Sequence, residues 1–339
     1  MQNHIFKRKK VINLEPTTQM IRRFLSDYQI PAPIAEVDYI GYYIFLFNAG
    51  KEYRRFLHFC DKFNNEDEFF QYSANLMEEA VKKIKSTPDY DAFINDKLDS
   101  LNQHNWKFNN VAKHNVYQLD NLNRLMLSID MKKANYQALK WYSKDLVMNT
   151  ETFDEFISKF TNEEYFKHAK KFRQVIFGNT NPKRQQRIQK YIMEKVLEKM
   201  MESGYGFTEK DVYGYTSDEL VFAVNDNKRN EYDRIDTNNV ARILKDLNVD
   251  FHINLFTLRA YNAYNSDLQD NEKKIGTWYV KESVIGNDIE FKVVPKNYIS
   301  QMWKTFYNAE IEDKDLLFHT DDGSIARYLK PLRIEEVIK

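Results

Sequence analysis

Two apolar runs, each delivering a carboxylate at a fixed place, constrain the fold of this chain more than any other feature. In the first, Leu125, Leu127 and Ile129 alternate with Met126 and Ser128, the period of a buried strand, and the run ends at Asp130. Ala134, Ala138, Leu139 and Tyr142 then recur at helical spacing. In the second, Val212 to Tyr215 and Leu220 to Val224 read as two strands joined by the turn Thr216-Ser217-Asp218-Glu219. The two aspartates are 88 positions apart. Carboxylates held this way on neighbouring strands can bind two divalent cations, and phosphoryl transfer needs such a site. The turn by itself has a plainer explanation, because Asp favours turns for local hydrogen bonding.

The rest of the chain arranges itself around these runs. Residues 1 to about 14 read as a basic arm, and Glu15-Pro16-Thr17-Thr18 as a helix start. From Ala49 to Leu101 the apolar residues keep mainly helical spacing, most clearly at Phe69, Tyr72, Leu76, Ala80 and Ile84. Asn181 and Pro182 open a long helix that closes near Gly204. Asn238 to Leu247 reads as a short amphipathic helix, and Phe251 to Thr257 as a strand. A hairpin over Thr277 to Val294, turning at Gly286-Asn287-Asp288, and a helix near Tyr298 to Tyr307 complete the pattern. From Asp130 the order is strand, helix, long helix, hairpin, helix, strand. The expected fold class is α+β, divided into a helical region over 1–110, a central sheet region over 111–260, and a C-terminal hairpin and helix over 261–339.

Composition removes several function classes. The 50 basic and 50 acidic side chains cancel, so any nucleic-acid contact must come from local patches. The single cysteine, Cys60, excludes an intramolecular disulfide and a multi-cysteine metal site, and it reads as a small buried apolar side chain. The seven histidines lack zinc-like spacing, and no Walker-type phosphate loop or Gly-x-Ser-x-Gly is present. Asp288-Ile289-Glu290 reads as a polar hairpin turn. Tyr39 to Phe47 is too short to span a bilayer, so no membrane partner is expected. Met1 to Lys10 is polar and basic with no apolar run behind it, so the chain is expected in the cytoplasm or inside a host cell, and not secreted. Sparse Gly and Pro with abundant Lys, Asn, Tyr, Phe and Ile fits an AT-rich, viral or phage genome.

Tyr215-Thr216-Ser217-Asp218-Glu219-Leu220-Val221-Phe222 resembles the His-Asp-Glu-Leu-Val-Phe motif of family A DNA polymerases, with Ser217 where that family has His. Leu127 to Asn135 resembles the strand-then-helix segment of polymerase palm domains that carries the other metal-binding Asp. The resemblance covers about residues 122 to 260 and implies a polymerase-like palm sheet with inserted fingers-like helices. It implies Mg2+ or Mn2+ on Asp130 and Asp218, with Glu219 able to bind metal directly or through water. Ala169 to Gly178 lies where the family has its fingers helix, and Arg173 precedes Phe177-Gly178 at the family's spacing. The resemblance therefore places Lys170, Arg173 and Phe177 at the incoming nucleotide. Lys171, Lys183, Arg184 and Arg187 would extend a positive surface towards template or primer. A solvated basic helix face explains the same charges. Asn135, five residues after Asp130, and Tyr136 stand where many DNA-synthesising enzymes screen the ribose 2′-hydroxyl. A polar residue in a first helical turn explains Asn135 equally well.

Two departures matter. The family's Tyr after Phe-Gly has no equivalent, because Asn181 and Pro182 occupy that region. The 88-residue separation is closer to the palms of reverse transcriptases and viral RNA polymerases. The expected function is metal-dependent nucleotidyl transfer that extends a DNA or RNA 3′ end from nucleoside triphosphates. Two other readings stand beside it: a non-catalytic nucleic-acid-binding or assembly protein on a degenerate palm, and a helical interaction protein. Nothing in the sequence points to a particular protein partner.

Overall fold

A computed structural model describes residues 14–97, 114–224, 235–265 and 273–338. The basic arm before residue 14 and the 110/111 boundary lie outside the described residues. Five helices come first: α1 (Thr18–Tyr28), α2 (Val37–Leu46), α3 (Gly50–Cys60), α4 (Glu66–Lys85) and α5 (Pro88–Asn95). Their ends follow from local chemistry. The Thr17 hydroxyl accepts from Met20 N at the start of α1, and the Asn65 side chain accepts from Glu68 N at 2.9 Å at the start of α4. Helix α4 carries Glu66, Asp67 and Glu68 in its first turn and Lys82, Lys83 and Lys85 in its last, each matched to the helix dipole.

Strand β1 (Met126–Met131) leads into α6 (Ala134–Tyr142), then α7 (Phe153–Ile157), α8 (Glu164–His168), α9 (Lys170–Gly178) and the long α10 (Pro182–Glu202). The hairpin β2 (Val212–Tyr215) and β3 (Glu219–Ala223) is followed by α11 (Thr237–Ile243). Next come β4 (Phe251–Asn265), β5 (Lys273–Ser283), β6 (Ile289–Lys292), α12 (Ile299–Phe306), β7 (Leu317–His319), β8 (Ile325–Arg327) and β9 (Arg333–Glu336). The fold is mixed α+β, and its main sheet is antiparallel with the order β2-β3-β1-β4-β5-β6, β9 also pairing with β4. Strand β4 runs through the 260/261 position, so the sheet continues across it.

Alternation along β1 and β3 splits the apolar side chains between two layers. Leu127, Ile129, Leu220 and Phe222 join the N-terminal helices and α10 in one core. Met126 and Val221 meet Phe256, Leu258, Val116 and Leu122 on the opposite face. That second layer exists because the segment at 114–116 crosses β2, where Asn115 N donates to Tyr213 O at 2.9 Å. Gly214 permits the crossing, since a Cβ there would meet Val116 Cγ2 at 2.8 Å.

The helical layer is held by aromatic packing. Phe59 stacks on Tyr165 at 5.1 Å between ring centroids and meets Phe166 edge-on at 4.9 Å. The Tyr165 hydroxyl donates to Asp27 Oδ2 at 2.8 Å, and Arg23 Nε donates to the same oxygen at 2.7 Å. Cys60 ends α3 within this core, and burial pushes its thiol up to about 12. Iodoacetamide should therefore leave Cys60 unmodified at neutral pH in the native protein and label it after guanidinium unfolding. Native labelling at the rate of a free thiol would place Cys60 at the surface. No helix among the described residues is long and apolar enough to cross a membrane.

Candidate functional site

The strand order puts the two acidic runs side by side. Asp130 on β1 pairs with Glu219 on β3 in the antiparallel register, and with His252 on β4. Met131 N donates to Asp218 O at 2.8 Å, which pins the hairpin turn to the end of β1. Inside that turn Glu219 N donates to Thr216 Oγ1 at 3.0 Å, and Thr216 N donates to Glu219 O at 2.9 Å. The acid-bearing turn is thus ordered by its own hydroxyl.

Asp130 and Asp218 line one cleft of about 370 Å³ together with Lys133, Lys170 and Arg173. Asn135 and Gln174 also face it. Helix α9 supplies the far wall because its apolar face, Phe172, Ile176 and Phe177, is buried, and the helix packs on α4 and α1. Lys170, Arg173 and Gln174 of this helix line the cleft. Burial, then the charges of Glu219 and Asp218, push the Asp130 carboxyl up to about 7, while Lys281 and Lys170 act in the opposite sense. The neighbouring acids therefore oppose one another's ionisation, as they would until a cation or further positive charge joined them.

Cations line the same cleft. Arg173 lies over the Phe153 ring at 5.4 Å, and burial lowers its pKa, with Asp154 opposing. Lys133 reaches Asp154 at 2.7 Å from a left-handed backbone conformation. Lys170 and Arg173 have no acidic side chain in salt-bridge contact among the described residues. Cations left without a bonded acid in a cleft are suited to an anionic ligand.

The other sequence-derived candidates separate into two groups. Asn135 is half-buried at the cleft, and its Oδ1 accepts from Gln189 Nε2 at 2.8 Å. Phe177 and Tyr136 do not reach the cleft. Phe177 is fully buried against Tyr136, Phe153 and Phe156, at centroid distances of 6.1, 6.0 and 6.0 Å. The Tyr136 hydroxyl donates to Thr150 O at 2.9 Å in the interior, so it cannot stand beside a ligand sugar. Arg173 and Phe177 share a helix face by their spacing. The long guanidinium stem emerges to the cleft, whereas the short ring stays in the core.

Arg184 is a tie between helices. Its Nη1 donates to Ile94 O at 3.1 Å, it also donates to Asp96 O, and it lies over Phe93 at 5.7 Å. Lys171 is exposed on α9, with its charge felt at Asp27 of α1. Lys183 is exposed and Arg187 half-buried at the start of α10, and neither lines the cleft. Glu219 does not line the cleft either. It accepts from Ser128 Oγ at 2.6 Å and lies 3.8 Å from Lys281 Nζ.

Sequence reading passed over Lys133, Gln174 and Lys281. Lys133, three positions after Asp130, could have been found from the turn between strand and helix. Lys281 carries no such signal, because only the β4–β5 pairing brings it near β1.

Among the described residues no group of three or more His, Cys, Asp or Glu is placed to hold a metal ion. Mg2+ does not require one, since it commonly takes one or two protein carboxylates and completes its shell with water and substrate phosphate. Asp130 and Asp218 are the two carboxylates that line the cleft. Comparison of the chain with protein-family models, with curated proteins and with solved structures finds no match.

Proposed function

We propose that this chain is a metal-dependent nucleotidyltransferase with a palm-like sheet, extending the 3′ end of a nucleic acid from nucleoside triphosphates. The observation that carries this reading is one cleft lined both by the carboxylates Asp130 and Asp218 and by the cations Lys133, Lys170 and Arg173. A metal–triphosphate needs both kinds of group: carboxylate for the cation and cations for the phosphates. The antiparallel order β2-β3-β1-β4, with both acids at one end of adjacent strands, supports the palm-like reading.

Asp130 and Asp218 would hold Mg2+ or Mn2+, which when bound lowers the pKa of an attacking 3′-hydroxyl and offsets charge on the leaving pyrophosphate. Lys170 and Arg173 bind phosphate oxygens and orient the chain of phosphates along α9. Asn135, held by Gln189, borders the space for the sugar. Sequestration of Arg173 against Phe153 strengthens its interaction with phosphate by excluding water.

The experiment is extension of primed DNA and RNA templates, and of unprimed strands, with ribo- or deoxynucleotides in Mg2+ or Mn2+. Metal-dependent lengthening of the 3′ end is expected. No lengthening in any combination would leave the non-catalytic nucleic-acid-binding reading in its place. Within an active enzyme, Arg173→Ala should reduce kcat/KM for nucleotide by about 10- to 150-fold, the loss of one charge-assisted hydrogen bond of about 1.5–3 kcal/mol. Unchanged nucleotide kinetics would take Arg173 out of the site.

A further inference from the structure

Three acids meet at the ends of β1 and β3, yet they face different surroundings. Asp130 and Asp218 line the cleft, whereas Glu219, the cross-strand partner of Asp130 and near enough for its charge to raise the Asp130 carboxyl, is bonded elsewhere. Two contacts hold Glu219 there. Ser128 Oγ, buried on β1, donates to Glu219 Oε1 at 2.6 Å. Lys281 Nζ, reaching across β4 from β5, lies 3.8 Å from the same oxygen.

Lys281 is itself in an unusual place. It is only 8% exposed, and its ammonium sits over the Phe256 ring at 4.4 Å. Its cross-strand partner on β6, Glu290, already has an ion pair with Lys292. A lysine is seldom buried to this degree without an acid to meet it, and here the acid it meets is Glu219.

We propose that Lys281 and Ser128 are positioning residues that hold Glu219 off the divalent-cation site, leaving Asp130 and Asp218 as its protein carboxylates. This rests on the metal-dependent reading above. The tether has a chemical purpose. A third carboxylate on the cation would bind it more tightly and compete with substrate phosphate for its coordination positions. Lys281 also places one positive charge beside the acids, which weakens cation binding by direct repulsion. The cleft is thereby kept open to a cation that arrives with, and leaves with, phosphate. Glu219, adjacent to Asp218 in sequence, reads as a ligand from its position alone, and the geometry assigns it to the tether.

The test is Mn2+ binding to the full chain without nucleotide, followed by the electron paramagnetic resonance signal of free Mn2+. Lys281→Met should bind Mn2+ about tenfold more tightly than wild type, since it removes a nearby like charge and releases Glu219. Lys281→Arg should restore wild-type affinity. In Lys281→Met/Glu219→Gln most of the gain should disappear. Ser128→Ala, which frees Glu219 from the other side and leaves the buried charge in place, should tighten binding in the same direction by a smaller factor. It also serves if Lys281→Met does not fold. Equal affinity in wild type, Lys281→Met and Ser128→Ala overturns the tether. A gain that survives in the double variant also overturns it, because repulsion alone then accounts for the effect. Failure of the underlying reading looks different: wild type binds no Mn2+, or Asp130→Asn binds it as well as wild type does.

Discussion

Asp130→Asn and Asp218→Asn should each reduce nucleotide addition by about 10³-fold or more, the several kcal/mol that a catalytic cation supplies to the transition state. The two losses should not add, because either substitution removes the same ion. Asp130→Asn should also change stability, in a direction that separates a functional acid from a structural one. Burial and the neighbouring Glu219 and Asp218 raise the folded Asp130 to about 7 from its ordinary value of 3.8. The folded state therefore favours the protonated carboxyl. Below about pH 4 both states are protonated and Asp130 costs little. As pH rises to 7 the unfolded chain ionises first, and the folded protein loses stability. Asparagine does not ionise, so Asp130→Asn should be more stable than wild type at pH 8, by an amount on the order of 4 kcal/mol, and close to it at pH 4. Urea melts at the two pH values measure this. A variant less stable than wild type at pH 8 would make Asp130 a structural residue, whatever its activity.

Phe177→Ala should destabilise the fold by about 3–5 kcal/mol, the usual cost of emptying a buried aromatic site. The ring is fully buried and touches Tyr136, Phe153 and Phe156. Phe153 is also the surface beneath Arg173 and Lys133, so the cavity would open directly under the cationic wall of the cleft. Phe177→Leu keeps most of the volume and should cost far less, with nucleotide KM close to wild type. Thermal denaturation and nucleotide kinetics on both variants distinguish the core role from a ligand contact. A stable Phe177→Ala protein with a raised nucleotide KM would put the ring back in the site.

The contrast between Arg173 and Phe177 shows what the sequence can carry. The family spacing puts both residues at the incoming nucleotide, whereas the structure has Arg173 lining the cleft and Phe177 buried in the core. Depth along the side chain is not visible in spacing, and depth decides that one reaches the cleft while the other fills the core. The acid-bearing elements were legible because period-two and helical patterns are local. The β1 strand, α6, the β2–β3 hairpin and α10 lie close to where the apolar pattern puts them. Asn181 caps α10 through its side chain, as its place before Pro182 indicates.

What lay beyond reach was set by long-range pairing. Strand β4 extends to Asn265, well past the alternating stretch that ends at Thr257, because β5 and β9 pair with its second half. Met126 is buried although it lies opposite the helical core, since the 114–122 segment covers that face of the sheet. Arg184 reads as a free basic charge, but the C-terminal end of α5 offers it carbonyl oxygens. Glu219 reads as a companion of Asp218, and only the approach of Lys281 from β5 shows where its carboxylate is held.

The direct test of a metal–triphosphate site is a crystal grown with Mn2+ and a non-hydrolysable nucleoside triphosphate, with anomalous scattering recorded at the manganese edge. The expected result is an Mn2+ peak ligated by Asp130 and Asp218, with the triphosphate running towards Lys170 and Arg173. A nucleotide and Mn2+ bound away from this cleft, with Asp130 and Asp218 contacting neither, would contradict the proposed function.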